Sequence, residues 1–214
     1  MKRNLILLIL ISLSVISCKI TGIKGNGDLI TDTRKVDEFE RIDVSGNFDV
    51  NITVGEEQRL EILAESNLLK YIKTKVKKQT LYIHSRKNLR PREDLKIIVT
   101  VPELYAIECS GVNDICAKGI NSDEFYIDLS GAGSINISGT TGILNIDVSG
   151  AADLMAKNLI TEDISIDVSG AANAEVYASN SCNAEVSGAG FIELYGDAVD
   201  VSMDISGAGS IERK

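Results

Sequence analysis

Seven carboxylates recur at one place in a repeated phrase. Two residues before successive Ser-Gly pairs stand Asp43, Glu108, Asp128, Asp147, Asp167, Glu185 and Asp204. If the phrases stack in register, the last six form one outward column with neighbours about 4.8 Å apart. Hard oxygen ligands at that spacing could gather divalent cations such as calcium. Stacked like charges repel, but by only about 1 kcal/mol per exposed neighbour. The same column therefore also fits a solvated face kept polar against sheet-to-sheet sticking.

A second cluster has the opposite sign. Residues 70–96 hold ten Lys/Arg against two Asp/Glu, a net +8, and include Lys70, Lys73, Lys75, Lys77, Lys78, Arg86, Lys87, Arg90 and Arg92. Such a run could meet anionic lipid headgroups or acidic glycan, or be a solvated pair of strands. Residues 101–214 hold four Lys/Arg against eighteen Asp/Glu, a net −14, and so acidic a body argues against a nucleic-acid partner.

Nucleophilic chemistry finds little support. His84 is the one histidine, in a strand-like stretch beside Ser85 and Arg86, and the repeated serines recur in every copy alike. There is no phosphate-binding glycine loop and no metal-ligand spacing of His and Cys. Without Trp, a sugar-stacking groove is weakly supplied. Cys109 and Cys182 fall at inward positions and Cys116 at an outward one, which suits buried small apolar residues better than a disulfide framework. No cofactor is expected.

The elements that carry these residues follow from the repeat. The serines Ser110, Ser130, Ser149, Ser169, Ser187 and Ser206 are spaced 20, 19, 20, 18 and 19 apart, each followed by glycine. Apolar residues recur five before the serine (Tyr105, Phe125, Leu144, Ile164, Cys182, Val201), three before it (Ile107 to Met203) and one before it (Cys109 to Ile205). They recur again five after it, from Ile115 to Ile211. Alternation of period 2 is the pattern of a strand with one buried face. A unit of this length cannot bury that face alone, but parallel stacking turns each position into an internal column. The sequence thus predicts an all-β parallel solenoid over residues 105–214.

Residues 1–17 read as a leader: Lys2 and Arg3, then an apolar run too short to span a bilayer. Val15-Ile16-Ser17-Cys18 resembles the lipobox of bacterial lipoproteins, which implies cleavage before Cys18 and its acylation. Residues 18–28 read as a tether, and 29–214 as one domain whose first part, 29–104, forms larger irregular coils over the first end of the stack. An early phrase, Ile42-Asp43-Val44-Ser45-Gly46, precedes Ser110 by 65 residues, so the period is lost between them. Leu60–Leu63, Tyr71–Val76, Leu81–Ile83 and Leu95–Val101 are predicted strands, and Ser66–Leu69 a helical turn or bend. The last copy ends at Ile211, and its open strands are expected either to pair with another copy or to be blunted by Glu212, Arg213 and Lys214.

Several of these stretches together resemble a bacterial family called the head GIN domain, grouped with auto-transporter adhesins. The likeness is carried by Val36-Asp37-Glu38-Phe39 with Ile42 to Gly46, by Leu81-Tyr82-Ile83, by Val99-Thr100-Val101-Pro102-Glu103-Leu104, and by the repeated Ser-Gly-Ala-Gly phrase. It spans roughly residues 36 to 210. The resemblance implies a right-handed parallel β-helix, secreted or lipid-anchored, with no catalytic residues to carry over. The function expected is that of a lipid-anchored, non-enzymatic binding, adhesion or structural module of the cell envelope, at the outer membrane. Its expected partners are the membrane, another copy, and a glycan or envelope protein. The alternative is a glycan-active enzyme, a polysaccharide lyase or hydrolase, on the same scaffold.

Overall fold

The computed structural model describes residues 22–214. Cys18, the leader and the first residues of the expected tether lie outside them. Short strands come first: β1 (Ile23–Lys24), β2 (Leu29–Arg34), β3 (Arg41–Val54) and β4 (Arg59–Glu65). A single 3-10 turn, Leu69–Tyr71, precedes β5 (Ile72–Lys77), β6 (Thr80–Ser85), β7 (Leu89–Arg90) and β8 (Lys96–Val101). The repeats then form β9 (Ala106–Gly170), β10 (Asn173–Gly188), β11 (Phe191–Tyr195), β12 (Asp200–Gly207) and β13 (Ser210–Arg213). The protein is all-β, with a large sheet that does not close into a barrel.

The repeat region is parallel throughout. Strand β3 lies on the start of β9 with Ile42 beside Ile107, Val44 beside Cys109, Ser45 beside Ser110 and Val50 beside Ile115. Ser45 and Ser110, 65 positions apart, therefore stand on adjacent coils, and the chain between β3 and β9 leaves the stack and rejoins it one step further on. Farther along, Ile164 pairs with Cys182 and then Val201, and Val168 with Val186 and then Ile205. These inward columns make one continuous core in which Ile107, Ile127, Ile166 and Ala184 are buried.

Glycine follows each serine because the chain turns a corner there at positive φ and lies against the backbone of the preceding coil. Gly150 has φ +131°, and a Cβ on it would lie 2.2 Å from the carbonyl oxygen of Gly131. At the first of these corners Asn113 is buried, taking the Phe48 N–H on its Oδ1 at 3.0 Å and donating to the Ser110 carbonyl at 2.8 Å. It thereby satisfies backbone groups that the change of direction would otherwise orphan.

The first end of the stack is built differently. The early half of β3 pairs with β6, which pairs antiparallel with β5. Its late half pairs with β8, which continues antiparallel through β4 to β2. These ribbons cover the apolar columns that have no earlier coil to rest on. Residues 22–28, expected as tether, are hydrogen-bonded to residues 65–67, 88 and 90.

Some inward positions are not buried. Tyr105 precedes β9 and is half-buried, because its ring turns out so that its hydroxyl donates to Glu103 at 2.6 Å. Met203 and Ile205 are 39% and 44% exposed, since β12 has no partner strand beyond it among the described residues.

Candidate functional site

Outward-facing residues of the stack form rows, and register decides which side chains meet. In the acid row Asp43 lies beside Glu108, Asp167 beside Glu185, and Glu185 beside Asp204. Asp43, Glu108 and Asp128 line a hollow of about 200 Å³ with Ser110 and Ser130. Partial burial pushes the Asp147 carboxyl above the usual carboxylate range, and Asp128 and Asp167 on either side push it further. The Asp43 carboxyl is also raised by burial, with His84 opposing and Asp128 adding to the shift. The acids run along the stack without converging. No group of three or more His, Cys, Asp or Glu among the described residues could hold a metal ion.

Two residues earlier in each coil a different row runs alongside: Arg41, Ala106, Tyr126, Asn145 and Ser165. Ala106, beside Arg41 in register, has only a methyl, so the Arg41 guanidinium extends across it to lie 5.8 Å from the centre of the Tyr126 ring. That contact is worth about 0.5–1 kcal/mol at an exposed site. The Tyr126 hydroxyl donates to Glu124, whose Oε1 also accepts from Asn145 Nδ2 at 2.9 Å. The tyrosine is thus held at both ends. On one side of it lies a groove of about 350 Å³ that includes Glu108, Asp128, Asp147 and Asp167; on the other lies one of about 600 Å³ with Tyr105, Glu103 and Asn121. Sequence reasoning did not find this arrangement. The small residue between Arg41 and Tyr126 in the aligned row was the available signal.

The basic segment forms a separate surface. In β5, Lys73, Lys75 and Lys77 alternate outward opposite His84, Tyr82 and Thr80, and among the described residues this edge strand pairs only with β6. Lys70 lies 5.1 Å from the centre of the Tyr71 ring. Arg86 and Lys87 border a hollow of about 470 Å³ over Ser45–Phe48. Lys78, Arg90 and Arg92 are exposed nearby in sequence. His84 stands in register between Ser45 and Lys73.

The three described cysteines are free, Cys109 and Cys182 buried and Cys116 half-buried. Burial raises both inward thiols, Cys182 to about 11, so neither ionises near neutrality. No helix among the described residues is long and apolar enough to cross a membrane.

Comparison with known proteins bears on what this arrangement is for. Residues 38–198 match the family described as "Putative auto-transporter adhesin, head GIN domain". A search of curated proteins gave no match. The crystal structure of a "putative adhesin" from Bacteroides fragilis superposes with a TM-score of 0.76 at 26% identity, covering 90% of this chain and 100% of the other. A "putative adhesin" from Parabacteroides merdae gives 0.59 at 19% identity over 90% and 98%. A "putative lipid binding protein" from Parabacteroides distasonis gives 0.55 at 21% over 90% and 99%. The last two likenesses are of fold.

Proposed function

Because the chain belongs to the head GIN domain family, we propose that it is a lipid-anchored binding module of the cell envelope that works by presenting a rigid surface. In this reading the stack is a right-handed parallel β-helix, acylated at Cys18 and held at the outer membrane. The body carries the ligand-facing rows, and no bond is made or broken on them.

The observation that carries the reading is the register of the outward rows. Side chains one repeat apart in sequence stand side by side on paired parallel strands, as Asp167, Glu185 and Asp204 do. A preorganised polar row with an aromatic clamp at Arg41 and Tyr126 suits recognition of an extended, polar polymer, because little ordering remains to be done on binding. Adhesin descriptions of the family and of the Bacteroides fragilis structure support a non-enzymatic role.

The test uses cells carrying the full chain. Acyl labelling should be lost in Cys18→Ala. Attachment of cells to immobilised envelope polysaccharide should fall at least tenfold in Tyr126→Ala, with the protein still in the membrane fraction. Unchanged attachment in Tyr126→Ala and in Asp128→Asn would overturn the assigned face. Depolymerisation of the polysaccharide by the purified protein would establish the enzyme alternative instead.

A further inference from the structure

Residues 22–28 are held at one end of the stack. Strand β1 adds in parallel to β7, with the Ile23 N–H donating to the Asn88 carbonyl at 2.9 Å and the Gly25 N–H to the Arg90 carbonyl at 3.0 Å. Asn67 donates from Nδ2 to the Lys24 carbonyl at 2.8 Å and accepts the Asn26 N–H on Oδ1 at 3.1 Å. The buried Glu65 carboxylate joins the two segments, accepting the Gly27 N–H at 2.5 Å and the Arg92 N–H at 2.9 Å. Any Cβ at residue 25 would sit 1.8 Å from that carboxylate, so glycine is what lets the clamp close.

The place where residues 22–28 are clamped is also the basic end. Arg86 and Lys87 belong to the loop that pairs with β1, and the lysines of β5 face outward on the neighbouring ribbon. Among the described residues none of Lys73, Lys75, Lys77, Lys78, Arg86 and Lys87 has an ion-pair partner. The repeat body has the opposite charge, four basic residues against eighteen acidic over 101–214. An anionic surface would therefore attract one end of the rod and repel its body.

We propose that this basic end is a membrane-facing surface that takes the phosphate headgroups of anionic phospholipids and stands the stack away from the bilayer. The proposal rests on acylation at Cys18 and adds the orientation that acylation alone does not set. Five peptide steps separate Cys18 from Ile23, so an anchored chain holds the clamp within about 18 Å of the lipid surface. Over that range the lysines act as point charges and the arginines as forked donors to phosphate. Each basic residue brought to the surface strengthens partitioning by roughly fivefold.

The test uses the mature acylated protein, reconstituted into vesicles of phosphatidylcholine alone and of phosphatidylcholine with phosphatidylglycerol. In a Cys116→Ser background, a fluorophore is placed by Asn47→Cys beside the basic loop or by Ser210→Cys in the last coil, and quenched by a lipid-borne quencher. The expected result is quenching of the residue 47 probe several-fold stronger with phosphatidylglycerol than without, and weak quenching of the residue 210 probe in both. The gain should vanish at high salt and in Lys73→Glu/Lys75→Glu/Lys77→Glu. Protein that fails to float with either vesicle refutes the anchor. Protein that floats with both but shows no lipid-dependent quenching at residue 47 refutes the orientation and leaves the anchor standing. Quenching that stays flat while the lysines mediate retention on immobilised heparin assigns the surface to an acidic glycan and overturns the lipid proposal.

Discussion

From Ala106 to Arg213 neighbouring strands lie in parallel, and the paired residues of β9 to β13 are mostly 18 to 20 apart in sequence. From Ile23 to Val101 the period is lost, and three of the pairings are antiparallel. Both regions bury the same sort of apolar column. In the body each coil is covered by the next, so one pattern of alternation suffices. At the first end β3 has no earlier coil, and its two halves are covered by two separate ribbons that turn back on themselves. The outer strands of those ribbons carry charge, β2 with its Arg34–Asp32 ion pair at 2.9 Å and β5 with its lysines, which discourages further pairing. Among the described residues the last coil has no such cover, and its column residues Met203 and Ile205 are part-exposed. Burial is a property of the neighbouring coil as much as of the residue.

The contrast predicts unequal effects for equal substitutions. Val148→Asp places a charge in the middle of the stack, where Val148 is fully buried, and should cost about 3–5 kcal/mol. Ile205→Asp, at the equivalent position of the last coil, should cost less than about 1 kcal/mol. Urea denaturation of both variants measures the difference, and equal costs would mean the last coil is covered in solution.

A smaller pair concerns the corners. Gly150→Ala sets a Cβ against the Gly131 carbonyl at positive φ and should lose about 2–3 kcal/mol. Gly55→Ala, at the turn after β3, meets only the Thr100 methyl at 3.3 Å and should change stability by about 0.5 kcal/mol either way. Thermal melts of the two variants suffice.

Glu65→Gln tests the clamp, which belongs to the first end alone. With the charge gone, the Gly27 and Arg92 amides should exchange about tenfold faster, about 1.4 kcal/mol of local protection. Amides of Val168 and Val186 in the body should be unaffected.

The smallest effect lies in the acid row. The Asp147 carboxyl is raised in the folded state, so it binds its proton more tightly there than in the unfolded chain. Stability from this group therefore falls as pH rises from the ordinary carboxylate value through the raised one, and the penalty is complete near neutral pH. Asp147→Asn should gain less than about 0.5 kcal/mol near pH 7 after solvent screening, and nothing near pH 2.5. A gain that persists in acid would have another cause.

The same contrast explains what could be read from the sequence. Stacking of the body was legible because Ser45, Ser110 and their successors mark equivalent corners, and the alternating Ile, Val and Leu around them fix which side is inward. The strands near Leu60, Leu81 and Leu95 were legible as strands, but their antiparallel pairing was not, because a lone alternating run does not identify its partner. The Glu65 clamp was invisible for a related reason: Gly25, Gly27 and Arg92 lie up to 40 residues away and become its partners only through two turned-back ribbons. Of the outward residues, the acid row was legible as a row. The reach of Arg41 to Tyr126 depends on the third dimension, because the two are 85 positions apart and meet over Ala106.

The central claim is that consecutive repeats lie side by side along one axis. It is tested most directly by the distance between spin labels on the acid row, with Asp128→Cys and Asp204→Cys in a Cys116→Ser background. Four steps of about 4.8 Å separate these rows, so pulsed electron-electron resonance should give a narrow distribution near about 19 Å. A broad distribution centred beyond about 30 Å would contradict the stack.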